Sequence, residues 1–239
     1  CFGCGATGQR IVEALGFEAT ILFPPKSQGN GQANVTVAVA PAPRVVLTVE
    51  ALAEAKKLPV ERLREFGLRD GPRGVEIPYH DRAGVEVLVK LRTHEVASRG
   101  SLWPAGAKVQ PYGRDRLGAE DLFVVEGESD CWTLWHHGFA ALGLPGATTT
   151  ACLTAADVRD AKRIFVIEEP DEAGRKVPRS LRDQLTKVEW PGDLRIVRLG
   201  VKDPNELHKA NPEGFRAALE AVMRDAPALR PTKEKPSIQ

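Results

Sequence analysis

The sequence predicts an α/β protein in which a mostly parallel sheet is flanked by helices and is preceded by a smaller α+β unit. From Asp121 onward, short apolar runs suited to buried strands alternate with segments that have helical periodicity. This alternation is typical of a parallel sheet covered by helices. The alternating segments are residues 122–125, 130–137, 139–142, 154–161, 164–167, 173–186, 194–199 and 213–223.

The smaller unit is predicted from two helices and a β-hairpin. Thr48 can cap a first helix, and Pro59 can begin a second helix that ends at Gly67. Residues 74–79 and 85–91 are apolar or alternating runs on either side of a turn, which is the pattern of a β-hairpin. We therefore expect an antiparallel pair of strands ahead of the parallel sheet.

Composition divides the chain into five segments. The second segment is rich in Pro, Gly, Asn, Gln and Ala without a helical period, which indicates a linker. Prolines with interspersed Lys and Arg indicate an interdomain tail at the other end. The predicted segments are 1–23 (a small capping unit), 24–43 (the linker), 44–118 (the smaller core unit), 119–225 (the parallel-sheet domain) and 226–239 (the tail).

The overall composition excludes several classes of protein. Of the 239 residues, 42% are hydrophobic and 27% are charged, so the chain is not intrinsically disordered. The formal net charge of +1 does not by itself indicate a nucleic-acid binder, and any such surface must come from local clustering. No apolar run approaches the roughly 18 to 20 residues that span a bilayer, and no signal peptide is recognisable. We expect a cytoplasmic location and no membrane partner.

The four cysteines do not form the pattern of a secreted disulfide framework. Cys1 and Cys4 form a Cys-x-x-Cys pair at the first residues, whereas Cys131 and Cys152 are isolated in apolar segments and are expected to pack as small apolar side chains. A structural zinc site needs four ligands, so the pair is expected to be half of a site. Because the chain also opens on a cysteine, it is interpreted as a fragment of a longer protein.

Carboxylates follow three of the predicted strands. Glu126 ends the first strand of the parallel sheet, Glu169 and Asp171 follow a second, and Asp203 follows a third. Ligands of open α/β sheets gather at the carboxyl ends of the strands. Carboxylates brought together there repel one another unless a hard cation neutralises them, and magnesium suits such oxygen ligands. The sequence therefore predicts a magnesium site at this edge.

Three motifs carry a resemblance to a known family. They are the Glu-Gly-x-x-Asp turn at 126–130, the acidic-x-acidic-x-Ala-Gly turn at 169–174 and Lys-Asp-Pro-Asn-Glu-Leu at 202–207. Together they resemble the TOPRIM domain, a Rossmann-like fold, of DnaG-like bacterial, phage and plasmid DNA primases. The resemblance implies that Glu126, Glu169 and Asp171 are catalytic and that Asp203 and Asp130 join them in holding Mg²⁺ or Mn²⁺. The family commonly has Asp where this chain has Glu169.

Segments upstream of these motifs continue the resemblance. Residues 77–84 and 87–92 resemble a strand-turn-strand of the primase core, and the basic residues of residues 82–116 outnumber the acidic ones. Such a surplus beside aromatic rings suits a single-stranded template or nucleotide phosphates. The residues expected to bind them are Arg82, Lys90, Arg92 and Lys108. A solvated hairpin face is the alternative.

The resemblance also bears on the chain ends. The pair of Cys1 and Cys4 resembles the second cysteine pair of the zinc ribbon that precedes primase cores, which implies Zn²⁺ only in the full-length parent.

Helix N-termini favour anions, so Glu128, Glu168 and Glu172 are interpreted as ordinary acidic residues at such positions.

The function that the sequence predicts is RNA primer synthesis on single-stranded DNA by Mg-dependent nucleotidyl transfer. Ribonucleoside triphosphates would be the substrates, and a replicative or fused helicase the partner, within a larger phage or plasmid replication protein. Two alternatives remain open. One is another TOPRIM enzyme, either a nuclease or a topoisomerase. Of these two the nuclease is favoured, because a topoisomerase would need a catalytic tyrosine and only Tyr79 and Tyr112 are present. The other is a degenerate TOPRIM module that binds single-stranded DNA for an attached helicase.

Overall fold

A computed structural model describes residues 46–146, 148–172 and 174–229, which belong to one compact unit. Cys1, Cys4, the predicted capping unit and the predicted linker lie outside the described residues, as does the tail beyond 229. No helix in the described ranges is long and apolar enough to cross a membrane.

The first part of this unit is a helical hairpin followed by an antiparallel sheet. Thr48 caps the first helix by accepting a hydrogen bond from the Ala51 amide at 3.2 Å, as the sequence predicts. The sheet has the order β1-β2-β3-β4, and all its pairs are antiparallel. The elements are α1 (Val49–Lys56), α2 (Val60–Glu65), β1 (Arg69–Gly71), β2 (Gly74–His80), β3 (Glu86–Arg92), α3 (Ala97–Gly100) and β4 (Ser101–Leu102).

The second part is a four-stranded parallel sheet in the order β6-β5-β7-β8. Two 3-10 turns lie between its elements, at Thr150–Cys152 and Gly174–Lys176, and another, at Arg114–Arg116, precedes its first strand. The predicted fold class, a mostly parallel sheet with helices after a smaller α+β unit, is confirmed. The elements are β5 (Asp121–Glu126), α4 (Glu128–His136), β6 (Ala141–Leu144), α5 (Ala155–Val158), β7 (Arg163–Ile167), α6 (Val177–Lys187), β8 (Asp193–Val197), α7 (Pro204–Ala210) and α8 (Phe215–Asp225).

Strands β1 and β4 and helix α3 of the first part were not predicted, and three elements of the second part differ from the sequence prediction. The helix predicted over 154–161 is shorter in the structure, where it is the single turn of α5. The capping box of Thr154 and Asp157 begins this helix as expected, but the helix ends at Val158. The helix predicted over 173–186 begins as a 3-10 turn before α6. Helix α7 was not predicted, although Asp203 caps it and a proline follows at its first position, which is a recognised start signal.

The open edge of the parallel sheet is covered by the start of the predicted tail. The amide of Ile196 donates to the carbonyl of Pro227 at 3.0 Å, and the amide of Leu229 donates to the carbonyl of Leu194 at 2.8 Å. An edge strand offers unpaired backbone groups to other chains, so this pairing protects β8 from such association.

Two apolar clusters lie on the two faces of the parallel sheet. One is continuous with the antiparallel part, because Ile77 and Tyr79 belong to the same buried cluster as Trp132 of α4 and Phe123 of β5. The partly buried ion pair between Arg114 and Asp157 links the turn before β5 to α5, with the guanidinium donating twice at 2.7 and 2.9 Å. The two sheets therefore share a core, which fixes the surfaces between them.

Three histidines pack at the end of α4. His208 Nε2 lies 2.8 Å from the carbonyl oxygen of Lys57, and His208 Nδ1 lies 3.0 Å from His137 Nε2. A carbonyl only accepts, so neutral His208 carries its proton on Nε2 and His137 donates through its own Nε2. The His137 ring stacks on Phe215 at 4.0 Å. His136 and His137 thus contribute to the packing at the end of α4.

This packing predicts a loss of stability in acid. Burial, followed by the charges of His136 and His208, lowers the pKa of His137 from 6.5 to about 4. Between these two values the unfolded chain binds more protons than the folded one, so the free energy of unfolding falls as the pH drops from about 6.5 to 4. One titrating proton changes the free energy of unfolding by at most about 1.4 kcal/mol per pH unit. Since the His137 ring is partly exposed, its contribution to this pH dependence should stay well below that limit.

Chemical denaturation at several pH values measures this slope. His137→Phe retains the ring stack but cannot be protonated, so it should flatten the dependence in that window. Equal slopes for the parent and the variant would show that other groups cause the acid sensitivity.

Candidate active site

A cleft of about 720 Å³ lies where the carboxyl ends of the parallel strands face the antiparallel sheet. Strand β5 ends at Glu126, and the loops after β7 and β8 follow on the same side because the three strands are parallel. The cleft is also lined by Lys90 and Arg92 of β3, in the antiparallel sheet, and by Lys56 of α1. The cleft therefore has an acidic edge and a basic wall.

All the carboxylates that the sequence predicted as metal ligands line this one cleft. They come from the ends of three strands and from the first turn of α4, and they are Glu126, Asp130, Glu169, Asp171 and Asp203. The structure thus brings together residues that are up to 77 positions apart in the sequence, from 126 to 203. Their role as ligands stays a prediction.

Like charges act on one another at the acidic edge. Burial, followed by the charge of Glu126, raises the pKa of Glu169 to about 7. Asp130 is only 6% exposed, and burial, followed by the charges of Asp203 and Glu169, raises its pKa well above the usual value. Each of these groups would be more stable as an anion beside a cation.

The donor set matches a hard divalent cation in kind, because carboxylate oxygens are the ligands that Mg²⁺ prefers. Within residues 46–146, 148–172 and 174–229, however, no three His, Cys, Asp or Glu side chains lie together at the spacing of metal ligands. Two of the carboxylates also hold their own loops: Asp171 accepts from the Gly174 amide at 2.7 Å and Asp203 from the Glu206 amide at 2.8 Å. Binding would therefore require side-chain rotation.

The basic wall is formed mainly by Arg92 and Lys56. Arg92 is 1% exposed and donates to the carbonyls of His94 and Glu95 at 2.7 and 2.8 Å. Its Nη1 is buried and has no hydrogen-bond partner among the described residues. Burial, followed by the charge of Arg92, lowers the pKa of Lys56, so the two cations repel each other. Such a wall suits an anionic ligand.

Lys90 has a partner that the sequence did not indicate. Its Nζ lies 2.6 Å from Oε1 of Glu128, and the same oxygen accepts a hydrogen bond from the Tyr79 hydroxyl at 2.5 Å. Burial raises the pKa of Glu128, but the charge of Lys90 and the hydrogen bonds outweigh it, so the pKa lies below its usual value. Glu128 is thus more than an ordinary acidic residue at a helix N-terminus.

The other two residues predicted to bind nucleic acid or nucleotides do not line the cleft. Arg82 donates to the carbonyl of Ala156 at 2.5 Å and forms an ion pair with Asp160, so it links the β-hairpin to α5. Lys108 is exposed and lies outside the cleft lining. From the sequence it is clear only that these residues are basic and near the hairpin, not which way they face.

The sequence also missed residues that line the cleft. Asn205 is buried, and its side-chain amide donates to the Lys56 carbonyl at 3.0 Å and to the Thr133 hydroxyl at 3.2 Å. These bonds hold α7 against α1 and α4. Its place in the Lys-Asp-Pro-Asn-Glu-Leu motif was a usable signal, whereas nothing in the local sequence distinguishes Lys56 from the neighbouring Lys57.

Comparisons with known proteins give matches of structure alone. No protein-family model and no curated protein matches the sequence. The solved DnaG primase catalytic domain bound to ssDNA matches with a TM-score of 0.58 and 21% identity, covering 75% of this chain and 71% of that chain. The DnaG catalytic core matches with a TM-score of 0.58 and 20% identity, covering 75% and 73%. This is the fold of a DnaG-type primase catalytic core.

The primase fragment of the bacteriophage T7 primase-helicase protein has the same fold, with a TM-score of 0.57 and 23% identity, covering 71% of this chain and 72% of that chain. The expected resemblance to primase cores is therefore confirmed at the level of fold. The cleft of this chain lies between the two sheets that make up the primase-core fold.

The repulsion at the acidic edge predicts that Asp130→Asn stabilises the protein in the absence of divalent cations. The amide has nearly the same shape and removes one buried charge, so we expect a gain of about 1 kcal/mol at pH 8, typical of relieving a functional strain. Thermal unfolding with and without Mg²⁺ measures this, and Mg²⁺ should stabilise the variant less than the parent.

Glu172→Gln is the matched control, because Glu172 is exposed and paired with Lys176 outside the cleft lining. Glu172→Gln should change neither the stability without Mg²⁺ nor the stabilisation by Mg²⁺ by more than a few tenths of a kcal/mol. If Asp130→Asn lowered the stability without cations, repulsion between Asp130 and the neighbouring carboxylates would not be what destabilises the parent.

Proposed function

We propose that the chain is the catalytic core of a DNA primase that synthesises RNA primers on single-stranded DNA by Mg-dependent nucleotidyl transfer. The observation that carries the proposal is the cleft in which the predicted carboxylates face Lys90, Arg92 and Lys56. Nucleotidyl transfer needs both the carboxylates and the basic residues. The carboxylates hold metal ions, and these ions together with the basic side chains bind the phosphates that the carboxylates alone would repel.

Each side of the cleft has a distinct role in this proposal. Glu126, Glu169 and Asp171 would hold Mg²⁺, with Asp130 and Asp203 beside them; the metal would activate the primer 3′-hydroxyl and offset charge on the reacting phosphate. The basic wall orients the triphosphate and the template, which brings the reacting groups into place. The buried Nη1 of Arg92, which has no hydrogen-bond partner among the described residues, is a donor for such an anion.

The substrates and the partner of the protein are also part of the proposal. A primase core acts on single-stranded DNA and ribonucleoside triphosphates, and the solved relatives include a DnaG domain bound to ssDNA and a fragment of a primase-helicase. The three sequence motifs are the basis for proposing that the parallel-sheet domain is a TOPRIM domain, and the match to the primase-helicase fragment supports a helicase partner within a larger replication protein. Zn²⁺ in the parent protein would need Cys1 and Cys4 together with two further ligands.

The degenerate module that only binds single-stranded DNA is the second candidate. It is favoured by the lack of three metal-ligand side chains at ligand spacing in the described ranges and by Glu169 where the family commonly has Asp. The two candidates differ in one property, which is synthesis that depends on Mg²⁺.

Primer synthesis from labelled ribonucleotides on single-stranded DNA, with and without Mg²⁺, tests the proposal. Asp171→Asn nearly preserves the side-chain shape while removing one charge, so the variant should fold and lose at least about a hundredfold in rate. Glu172→Gln should synthesise at the parental rate. Full synthesis by Asp171→Asn would place the chemistry elsewhere, and a parent that never synthesises primers would favour the binding module.

Substitutions of Glu169 test the departure from the family pattern. Glu169→Asp retains the charge and shortens the side chain by one methylene, so the rate should change by no more than a few fold. Glu169→Gln should be much worse, because cation affinity depends on the number of anionic ligands. Mg²⁺ titrations of the synthesis rate separate a weaker affinity from a lower maximal rate. Unimpaired synthesis by Glu169→Gln would leave Glu126 and Asp203 as the ligands to test next.

A further inference from the structure

A buried ion pair lies between the two sheets beside the cleft. Glu128 is 2% exposed and Lys90 is 5% exposed, and the carboxylate oxygen Oε1 accepts from both Lys90 Nζ and the Tyr79 hydroxyl, at 2.6 and 2.5 Å. The Lys90 ammonium also lies over the Trp103 ring, 4.9 Å from its centroid. The three donors and acceptors come from β2, β3 and α4, so this cluster joins the antiparallel sheet to the helix that follows Glu126.

Stability alone does not explain this pair. Removing two charges from water costs free energy that their attraction barely returns, and well-packed apolar residues often stabilise a core as much or more. Yet both side chains line the cleft. An ammonium has three N–H donors, and the bond to Glu128 uses one of them, so Lys90 retains donors for a ligand.

Arg92 stands on the same face of β3, because residues two apart on a strand point the same way. Its buried Nη1 has no hydrogen-bond partner among the described residues. Lys90 and Arg92 thus present donors to the same cleft, and the backbone carbonyls of His94 and Glu95 hold Arg92 as the carboxylate of Glu128 holds Lys90.

We propose that Glu128 is a positioning residue, whose carboxylate holds the Lys90 ammonium on the cleft wall so that Lys90 and Arg92 together receive the phosphates of a ribonucleoside triphosphate. This inference rests on the proposed function. Glu128 itself does not touch the nucleotide, and Tyr79 fixes the orientation of its carboxylate.

Binding of ATP with Mg²⁺, measured by calorimetry, and thermal unfolding together test the proposal in four proteins: the parent, Glu128→Gln, Lys90→Met and the double variant. Each single substitution leaves one buried polar partner unpaired and should lower the unfolding midpoint. Each should also weaken ATP binding at least about tenfold. Glu128→Asp, which keeps the charge, should bind ATP more tightly than Glu128→Gln.

The double variant separates positioning from folding. It contains neither buried charge, so its unfolding midpoint should return most of the way to the parental value. Its ATP affinity should remain as low as that of Lys90→Met, because Glu128 acts only through Lys90. If the pair merely stabilised the fold, ATP affinity would return together with the midpoint, and that result would overturn the proposal.

Asp157→Asn is the matched control, since it breaks the ion pair of another buried carboxylate, with Arg114, outside the cleft lining. It should lower the unfolding midpoint without changing the ATP affinity of the folded protein. Equal losses of affinity in this control and in Glu128→Gln would also overturn the proposal, as would losses that add in the double variant.

The inference and the proposed function can fail separately. A parent that binds ATP with the predicted dependence on Glu128 but synthesises no primer would retain the positioning role and lose the primase assignment. A parent that synthesises primers with an unchanged KM for ATP in Glu128→Gln would retain the assignment and exclude the positioning role. A parent that binds no ATP excludes the positioning role as well.

Discussion

Repulsion between carboxylates at one edge of the parallel sheet is the constraint on which the rest of the site depends. Parallel strands end on the same side, so the residues after β5, β7 and β8 must meet there. Burial of these side chains, followed by this repulsion, raises the pKa values of Glu169 and Asp130. The sheet can tolerate this only because its core is held elsewhere, by two apolar clusters on its two faces.

The sequence predicted the acidic edge well because each part of it is local. A carboxylate at the end of an apolar run is visible in the sequence, and the parallel arrangement then brings such ends together. The cap at Thr48 was predictable for the same reason. Helix α7 also had local signals at Asp203 and the following proline, but the Pro-Asn-Glu segment is short and lacks a clear apolar period.

The sequence predicted Lys90 and Arg92 as binding residues from their charge but could not predict their burial, because β3 reverses the usual pattern of a strand. A half-buried strand normally turns its apolar residues inward. Strand β3 instead buries Lys90 and Arg92, while Val87 is 48% exposed. The alternation gives two faces but not which one is inward, so the sequence alone could not separate Arg92, which lines the cleft, from Arg82, which binds α5.

That reversal is costly unless each buried cation has a partner, and the partners explain the geometry around the cleft. The carbonyls of His94 and Glu95 serve Arg92, and their position follows from the turn after β3. Lys90 requires an anion from outside its own sheet, and Glu128 supplies it from the first turn of α4, two residues after Glu126. The helix that begins at the acidic edge therefore also holds the basic wall, so a shift of α4 would move both sides of the cleft together. The buried contact between Lys90 and Glu128 adds to the apolar core that the two sheets share, so the position of this lysine and the arrangement of the carboxylates both depend on α4.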